Sequence, residues 1–398
     1  MNAVELLDII SAGETSKVQF KRELDNQDKV AAELIAFSNS KGGILLFGVE
    51  DKTGDIIGLD YEALQKTSNA IGTIANELVK PTVYITTEVV TVDVSDDEKK
   101  NILVISVDEG VSKPYKDKNG TIWIKQGADK RKVTDNNEQI RLFQQSGSLY
   151  VDEMIIPNTS EADIDKSKVE KYVKAIQKSD SVEKGEIDER LLTNLNIMKD
   201  NKLTLGGLEF FANNPQKYRP AFCIKAISFF GNSIGGSSYR DSKDIEGTIP
   251  EMFDQAMSFL TSNLRSVQAE QNFNSVGVLE ISKVALEELV QNALTHRDYS
   301  KNSPIRIMIF DDRVEIVSPG ALPNSLTIEN IKLGNAVVRN NLMVSYCSKL
   351  MNYRGFGSGI TRALENQSDI ELINDIEGEQ FIVKIPRPKE EQADETPI

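Results

Sequence analysis

A helix-length segment that runs directly into two glycines and a short apolar segment is the pattern that constrains the fold most. Residues 28–40 carry apolar side chains at helical spacing, which predicts a helix with one buried face. Gly42 and Gly43 follow, and glycine is the usual residue just past the end of a helix. Residues 44–49 are almost wholly apolar, which predicts a short buried strand. This succession indicates a mixed α and β structure.

Further elements of both kinds are predicted along most of the chain. Helices are predicted at residues 61–79, 163–178, 189–198, 250–264 and 282–293. Strands are predicted at residues 82–94, 102–107, 121–125, 221–230, 305–310, 313–317 and 381–385.

The 398 residues divide into three predicted folded parts and a tail, which together give an α+β protein. Residues 1–150 form the first part. Residues 151–268 differ in character and are predicted to be a middle linking segment of α/β type, with a wing-like hairpin at residues 201–206. Residues 269–388 form the last part. Residues 389–398 lack apolar periodicity and are predicted to be a disordered tail.

Composition excludes several classes of protein. No apolar run approaches the roughly 18 residues that a membrane-spanning helix needs, so we expect no membrane association. Glu5 and Asp8 stand where a signal peptide carries basic residues, which argues against export. Cys223 and Cys347 are far apart, and we expect them to be reduced packing residues in the cytoplasm. His296 is the single histidine, so a site built from several histidines is excluded.

The formal net charge of −15 argues against a general polyanion binder, but the basic residues are unevenly distributed. Residues 111–132 contain seven basic and two acidic side chains, with Trp123 among them. Phosphate contact with aromatic stacking is one interpretation, and a solvated hairpin with Trp123 in the core is the other. The candidate nucleic-acid-binding residues are Lys21, Arg22, Lys113, Lys116, Lys118, Lys125, Lys130, Arg131 and Lys132.

Residues 14–21 and 36–51 resemble the Schlafen AlbA-type domain. The shared pattern is a glutamate before an aromatic–lysine pair, then Ala-Phe-x-Asn-x-x-Gly-Gly and an apolar strand ending in Gly-Val-x-Asp. The resemblance covers about 120 residues and implies one of two functions. Some members bind nucleic acid, either DNA or RNA, in transcriptional regulators. Others cleave RNA with a divalent cation held by three carboxylates.

The three carboxylate positions of the RNA-cleaving members fall on Glu14, Gln19 and Asp51 in this chain. The resemblance makes Glu14 and Asp51 candidate catalytic residues. Gln19 is neutral, and hard divalent cations favour carboxylates, so the implied cation site is weakened and nuclease activity is the less favoured function. An equally open interpretation is that Glu14 acts as a cap, or pairs with Lys17 or Lys21, at the surface.

Glu288 and Asn292 are four residues apart in a predicted helix, which places both side chains on one face. This pair resembles the first motif of GHKL-type ATPases, the superfold of gyrase and histidine kinases. The resemblance implies that Glu288 polarises the attacking water and that Asn292 binds Mg²⁺. It also implies a glycine-rich phosphate lid. The implied ATP- or ADP-binding residues are Asn292, Gly320, Arg354, Gly355, Gly357 and Gly359.

One position departs from the motifs of the GHKL-type ATPases. Ser318 stands where the ATPases carry the aspartate that selects adenine. The Ser-Pro-Gly version and residues 202–211 are similar to the RecG-like C-terminal, divergent AAA-type family. Together the resemblances imply a homo-oligomeric transcriptional regulator with a GHKL-like α/β sandwich acting as a nucleotide switch and at most weak ATPase activity. The alternatives are a metal-dependent nuclease that acts on RNA or DNA, for example in defence, and an interaction scaffold without activity.

Overall fold

The computed structural model describes residues 1–51, 53–95, 98–147, 149–177, 187–235, 238–268, 277–323, 326–351, 353 and 357–388. The chain forms two compact units, Met1–Leu149 and Tyr150–Ile398. In the described ranges no helix has the length and apolar character needed to cross a membrane. The predicted tail and the predicted phosphate residues Arg354 and Gly355 lie outside the described residues.

The N-terminal unit contains four α-helices and eight strands within its described residues. The helices are α1 (Ala3–Ala12), α2 (Gln27–Asn39), α3 (Tyr61–Thr73), which continues as a π-helical turn over Ile74–Leu78, and α4 (Asn136–Gln145). The strands are β1 (Val18–Lys21), β2 (Gly43–Phe47), β3 (Val79–Lys80), β4 (Ile85–Ser95), β5 (Glu98–Val107), β6 (Lys116–Asp117), β7 (Trp123–Gln126) and β8 (Asp129–Lys132).

The main N-terminal sheet has the order β1-β2-β5-β4, with β1 parallel to β2 and the other pairs antiparallel. Successive side chains of a strand point to opposite faces. Leu45 and Phe47 therefore pack with α2 on one face, and Leu46 packs with Leu6 of α1 on the other. The predicted helix–glycine–strand succession is confirmed. Gly42 has a φ of 70°, and a side chain there would approach the Val107 carbonyl oxygen to 2.7 Å, so this turn requires glycine.

The C-terminal unit contains eight α-helices and ten strands within its described residues. The helices are α5 (Lys166–Gln177), α6 (Glu189–Asn194), α7 (Leu205–Phe211), α8 (Ile249–Asn263), α9 (Lys283–His296), α10 (Ile328–Lys332), α11 (Asn341–Leu350) and α12 (Gly359–Asn366). The strands are β9 (Met198–Lys199), β10 (Lys202–Leu203), β11 (Ile224–Phe229), β12 (Tyr239–Ile245), β13 (Ser266–Gln268), β14 (Gly277–Leu279), β15 (Ile305–Ile309), β16 (Arg313–Pro319), β17 (Glu371–Asp375) and β18 (Gln380–Pro386).

A six-stranded sheet in the order β12-β11-β15-β16-β18-β17 organises this unit. Helix α9 packs against β16, α8 and α12, and it carries the predicted Glu288–Asn292 pair. Strands β11 and β12 come from the predicted middle segment, yet β11 pairs directly with β15 of the predicted last part. The sheet thus crosses the boundary predicted at residue 268, because backbone hydrogen bonds join the two segments into one layer. In this respect the structure differs from the expected three-part division.

Among the other elements, a predicted hairpin and a predicted helix are present, and one strand was not predicted. The wing-like hairpin is the short pair β9 and β10, whose turn residues Asp200 and Asn201 have positive φ. The helix predicted at residues 61–79 is confirmed as α3 together with the π-helical turn that ends at Leu78. The sequence did not predict β12, because six of its seven residues are exposed and give no apolar alternation.

Candidate functional sites

Helix α9 fixes the first candidate site. The Ser282 side chain accepts a hydrogen bond from the Ala285 amide at the start of the helix. Leu286, Leu289 and Val290 are almost completely buried and anchor the helix in the core. The register set by this burial turns Glu288 and Asn292 toward a pocket, and Glu288 is only 5% exposed.

A pocket of about 140 Å³ lies beside α9, and we call it the α9 pocket. Its lining includes the five described residues that the sequence assigned to nucleotide binding and water activation: Glu288, Asn292, Gly320, Gly357 and Gly359. These residues come from α9, from the end of β16 and from the start of α12. The structure therefore brings together side chains and glycines that are up to 71 positions apart in the chain.

Close approach explains why glycine stands at position 359. A side-chain carbon there would lie 2.7 Å from Glu288 Oε2 and 3.0 Å from Asn292 Nδ2. The first turn of α12 thus lies directly against the two polar residues of α9. The first amides of a helix have no acceptor within it, and this end of α12 lies beside the pocket.

Asn292 carries the polar atom that most directly indicates a ligand. Its Nδ2 is buried and has no hydrogen-bond partner among the described residues. A buried donor without a partner costs on the order of 1–3 kcal/mol, so native proteins retain few of them outside functional sites. An amide in this position fits a site whose polar partner arrives with the ligand.

Two arginines give the α9 pocket its positive charge. Arg362 of α12 forms an ion pair with Glu288, and the two side chains are 34% and 7% exposed. Arg339 donates hydrogen bonds to the carbonyl oxygens of Ala321 at 2.7 Å and His296 at 3.4 Å. Neither arginine was predicted to be a site residue. Arg362 follows Gly359 by three residues, and this helical spacing was the signal available for it.

Neutral groups complete the wall of the pocket. His296 Nε2 lies 2.7 Å from the Tyr353 hydroxyl, and burial together with the nearby Arg339 charge lowers the pKa of His296 to about 4. The imidazole is therefore uncharged at neutral pH. Ser318, at the position of the adenine-selecting aspartate, donates to the Ala293 carbonyl oxygen at 3.2 Å. Its hydroxyl is therefore engaged with α9.

The second candidate site lies in the N-terminal unit around Glu14. Glu14 Oε1 accepts hydrogen bonds from the Gln19 side-chain amide and, at 2.8 Å, from the Phe20 backbone amide. Asp51, the third predicted position, instead accepts a 2.5 Å hydrogen bond from Lys21. The expected surface pairing of Glu14 with Lys17 or Lys21 is not among the contacts of the described residues.

Lys125 is the centre of this second site. Its side chain is 1% exposed, and its ammonium group donates to Gln19 Oε1 at 2.9 Å and to the Ala128 carbonyl oxygen at 2.5 Å. Glu33, which is 4% exposed, accepts from Lys125 at 3.5 Å and from Lys130 at 2.5 Å. Burial lowers the pKa of Lys125, and the charge of Glu33 opposes that shift.

The predicted nucleic-acid-binding residues are mostly neutralised by nearby carboxylates. Seven of the nine form ion pairs: Lys21 with Asp51, Arg22 with Glu50, Lys113 with Glu109, Lys118 with Asp28, Lys125 and Lys130 with Glu33, and Arg131 with Glu138. Lys116 and Lys132 instead lie over the rings of Phe143 and Trp123. The local excess of positive charge in the sequence is thus smaller in the folded unit.

Each of the two units contains a segment that matches a known protein family. Residues 14–134 match the family described as "Schlafen, AlbA_2". Residues 302–383 match the family described as "Putative ATP-dependent DNA helicase recG C-terminal". The chain carries a Schlafen AlbA_2 domain and a RecG-type C-terminal domain. The expected α+β class with these two domains is confirmed.

The AlbA_2 and RecG-type domains connect the chain with nucleic-acid-related, ATP-binding-like functions. The RecG-type match begins after α9, so it does not include Glu288 or Asn292. A comparison with curated proteins found no match. Among solved structures, the chain is similar to the DIP2311 protein from Corynebacterium diphtheriae, at 20% identity and a TM-score of 0.47, over 97% of this chain and 80% of that one.

The residues at the implied cation site of the AlbA_2 domain are unsuited to the divalent cation that the RNA-cleaving Schlafen proteins hold. Among the described residues, no group of three or more histidine, cysteine, aspartate or glutamate side chains is arranged to hold a metal ion. Glu14 faces the Gln19 amide, and Lys125 supplies a positive charge beside it. An ammonium group repels a cation, so this donor set is unsuited to metal-dependent cleavage.

Proposed function

We propose that this chain is a nucleic-acid-binding regulator of transcription whose RecG-type domain binds ATP or ADP together with Mg²⁺. The observation that carries the proposal is the α9 pocket, which gathers Glu288, Asn292, Gly320, Gly357 and Gly359. Nucleotide sites are largely apolar clefts with a few convergent polar groups. The α9 pocket has that character, because Ile316, Leu322, Phe381 and Val383 share its lining with those residues.

Each polar group of the α9 pocket has a distinct role in this proposal. The Asn292 side-chain oxygen would hold Mg²⁺, which neutralises phosphate charge when bound, and its unpartnered Nδ2 would donate to a phosphate oxygen. The backbone of residues 357–359 approaches phosphates closely because Gly357 and Gly359 have no side chains. Arg362, which is paired with Glu288, adds positive charge beside the phosphates. The apolar wall accepts the base, with Ser318 in place of an adenine-selecting carboxylate.

The environment of Glu288 favours nucleotide binding over rapid nucleotide hydrolysis. This carboxylate is the candidate general base, yet it forms an ion pair with Arg362. A carboxylate engaged by a guanidinium is a poorer proton acceptor than a free one. We therefore expect slow hydrolysis at most, and nucleotide occupancy rather than turnover is the proposed signal.

The glycine segment 357–359 is the proposed moving part. Gly357 has a φ of 73°, and a side chain there would approach Ala336 Cβ to 3.1 Å. The segment is thus packed tightly against the loop before α11. A nucleotide that contacts residues 357–359 would bias this packing and, through self-association or a change in domain arrangement, the affinity of the AlbA_2 domain for DNA or RNA in the cytoplasm.

The experiment measures nucleic-acid affinity of the full chain by fluorescence anisotropy, with and without ATP and Mg²⁺. We expect ATP to change the nucleic-acid affinity of the wild type and to have no effect on that of Asn292→Ala. Asn366→Ala is the matched control, because Asn366 is an exposed asparagine of α12 that is not among the lining residues of the α9 pocket. Equal affinity with and without ATP in the wild type would refute the switch.

A further inference from the structure

A second cleft lies in the N-terminal unit beside Trp123, and we call it the Trp123 cleft. Its volume is about 300 Å³. The beginning of α2, the turn at residues 117–121 and the paired strands β7 and β8 contribute its walls. None of the candidate residues Glu14, Gln19 or Asp51 lines it. The Trp123 cleft is therefore distinct from the carboxylate positions that the family resemblance implies.

The charge of the Trp123 cleft is opposite in sign to that of the unit around it. Four lysines and two aspartates line the cleft, which gives a net charge of +2; they are Lys29, Lys118, Lys130, Lys132, Asp28 and Asp117. Residues 1–149 contain 18 basic and 24 acidic side chains, a net charge of −6. An acidic unit with a locally basic cleft directs a polyanion to that cleft.

Trp123 is held in a fixed orientation within the cleft. Its indole Nε1 donates a 3.1 Å hydrogen bond to Asp117 Oδ2, and the ring packs against the buried cluster beneath α2. The Lys132 ammonium group lies over the ring, 5.3 Å from its centroid. A half-buried indole fixed by its own hydrogen bond is a preorganised surface for stacking.

Lys132 differs from the other cations of the cleft. Lys118 is paired with Asp28 at 2.8 Å, and Lys130 is paired with Glu33 at 2.5 Å. Lys132 has no carboxylate partner among the described residues, and its ammonium group is held by the indole face. A phosphate can therefore engage Lys132 without breaking an ion pair.

We propose that the Trp123 cleft binds one nucleotide unit of single-stranded nucleic acid. The Lys132 ammonium group leaves the indole face to bind the phosphate, and the base stacks on the face that it uncovers. This assignment rests on the proposed nucleic-acid function and names the site and the form of the ligand. Stacking on an aromatic ring combined with lysine–phosphate contacts characterises single-strand binding. A duplex is disfavoured because its base faces are already stacked on one another.

Trp123 is the only tryptophan of the chain, so its fluorescence reports directly on this cleft. The full-length protein is titrated with a short oligothymidylate, with the matching oligouridylate and with a duplex of the same length. Saturable quenching by the single strands, and much weaker quenching by the duplex, is the expected result. Anisotropy of a labelled oligonucleotide gives the affinity independently, and it should fall steeply with salt.

Three variants complete the test. Trp123→Phe retains an apolar ring for the core but stacks less well, and we expect a loss of affinity of at least about threefold. Lys132→Gln is expected to weaken binding about tenfold and to flatten the salt dependence. Lys99→Gln is the control, because Lys99 is an exposed lysine outside the cleft with its own carboxylate neighbour Asp93. Circular dichroism checks that each variant is folded.

The possible results separate this assignment from the function on which it rests. Anisotropy could detect binding that neither quenches Trp123 nor depends on Lys132. Such a result would place the nucleic acid on another face, which overturns its assignment to the Trp123 cleft and retains the proposed function. Equal quenching by duplex and single strand would overturn the stacked single-strand assignment. No binding of any nucleic acid would overturn both proposals.

Discussion

The ammonium group of Lys125 donates a 2.9 Å hydrogen bond to the side-chain oxygen of Gln19, and the nitrogen of that same amide donates to Glu14. Glutamine suits this place because it offers a donor to the carboxylate and an acceptor to the ammonium group. A glutamate there would confront Glu14 with a second negative charge. The substitution that weakens the implied metal site is thus part of an internal charge network centred on Lys125.

Removal of the Lys125 charge should destabilise the N-terminal unit. Lys125→Met leaves the 4%-exposed Glu33 with one cation fewer and Gln19 Oε1 without this donor. We expect a loss of about 3 kcal/mol in the free energy of unfolding, measured by urea titration with Trp123 fluorescence. The control Lys118→Met breaks an exposed pair with Asp28 and should cost about 1 kcal/mol or less. Equal losses would contradict the network.

Restoring the carboxylate and removing the lysine together should create a cation site. The double variant Gln19→Glu with Lys125→Ala replaces a neutral amide and an ammonium group beside Glu14 with a second carboxylate. Calorimetric titration without nucleotide is expected to show saturable Mn²⁺ binding in the double variant and none in the wild type. Adding Glu14→Ala should abolish it. If the wild type bound Mn²⁺ and Glu14→Ala abolished that binding, the conclusion that this site is unsuited to a cation would be refuted.

The stability of the C-terminal unit should depend on pH through Glu209. This side chain is fully buried, both its carboxylate oxygens lack hydrogen-bond partners among the described residues, and burial raises its pKa to about 8. The folded state therefore retains a proton that the unfolded state loses near the ordinary glutamate pKa of 4.5, so stability falls as pH rises from that value to about 8. Arg297 and Arg219 oppose the shift in part.

Glu209→Gln removes this ionisation and should raise the melting temperature of the C-terminal unit at pH 8 relative to the wild type. We expect a stabilisation on the order of 2 kcal/mol at pH 8 and a smaller one at pH 5, measured by scanning calorimetry. Glu365→Gln, at an exposed position of α12, is the matched control and should change neither value. A stabilisation that does not grow with pH would contradict the assignment.

The close approach at Gly359 should make this position sensitive to a single methyl group. Gly359→Ala would place a carbon 2.7 Å from Glu288 and 3.0 Å from Asn292, so α12 must shift away from α9. We expect the thermal shift produced by ATP and Mg²⁺ to disappear. Gly235→Ala is the control because a side chain there meets nothing within 4 Å. If ATP and Mg²⁺ shifted the melting temperature of Gly359→Ala as much as that of the wild type, glycine at this position would not be required for nucleotide binding.

Local spacing was sufficient to predict much of the fold and part of the α9 pocket. The four-residue spacing of Glu288 and Asn292 and the order of the glycines are properties of one helix and one loop. Arg362 and Lys125 were not assigned their partners, because Glu288 and Glu33 reach them only through tertiary packing. The exposed strand β12 escaped prediction for a related reason, since its pairing with β11 leaves no apolar alternation.

Calorimetric titration of the full-length chain with ATP and Mg²⁺ measures whether the α9 pocket binds nucleotide. We expect one saturable site per chain, with an affinity that falls at least about tenfold in Asn292→Ala because the unpartnered amide is removed. Asn366→Ala should bind as the wild type does. The absence of a saturable site in the wild type, or an unchanged affinity in Asn292→Ala, would contradict the claim that the α9 pocket binds nucleotide.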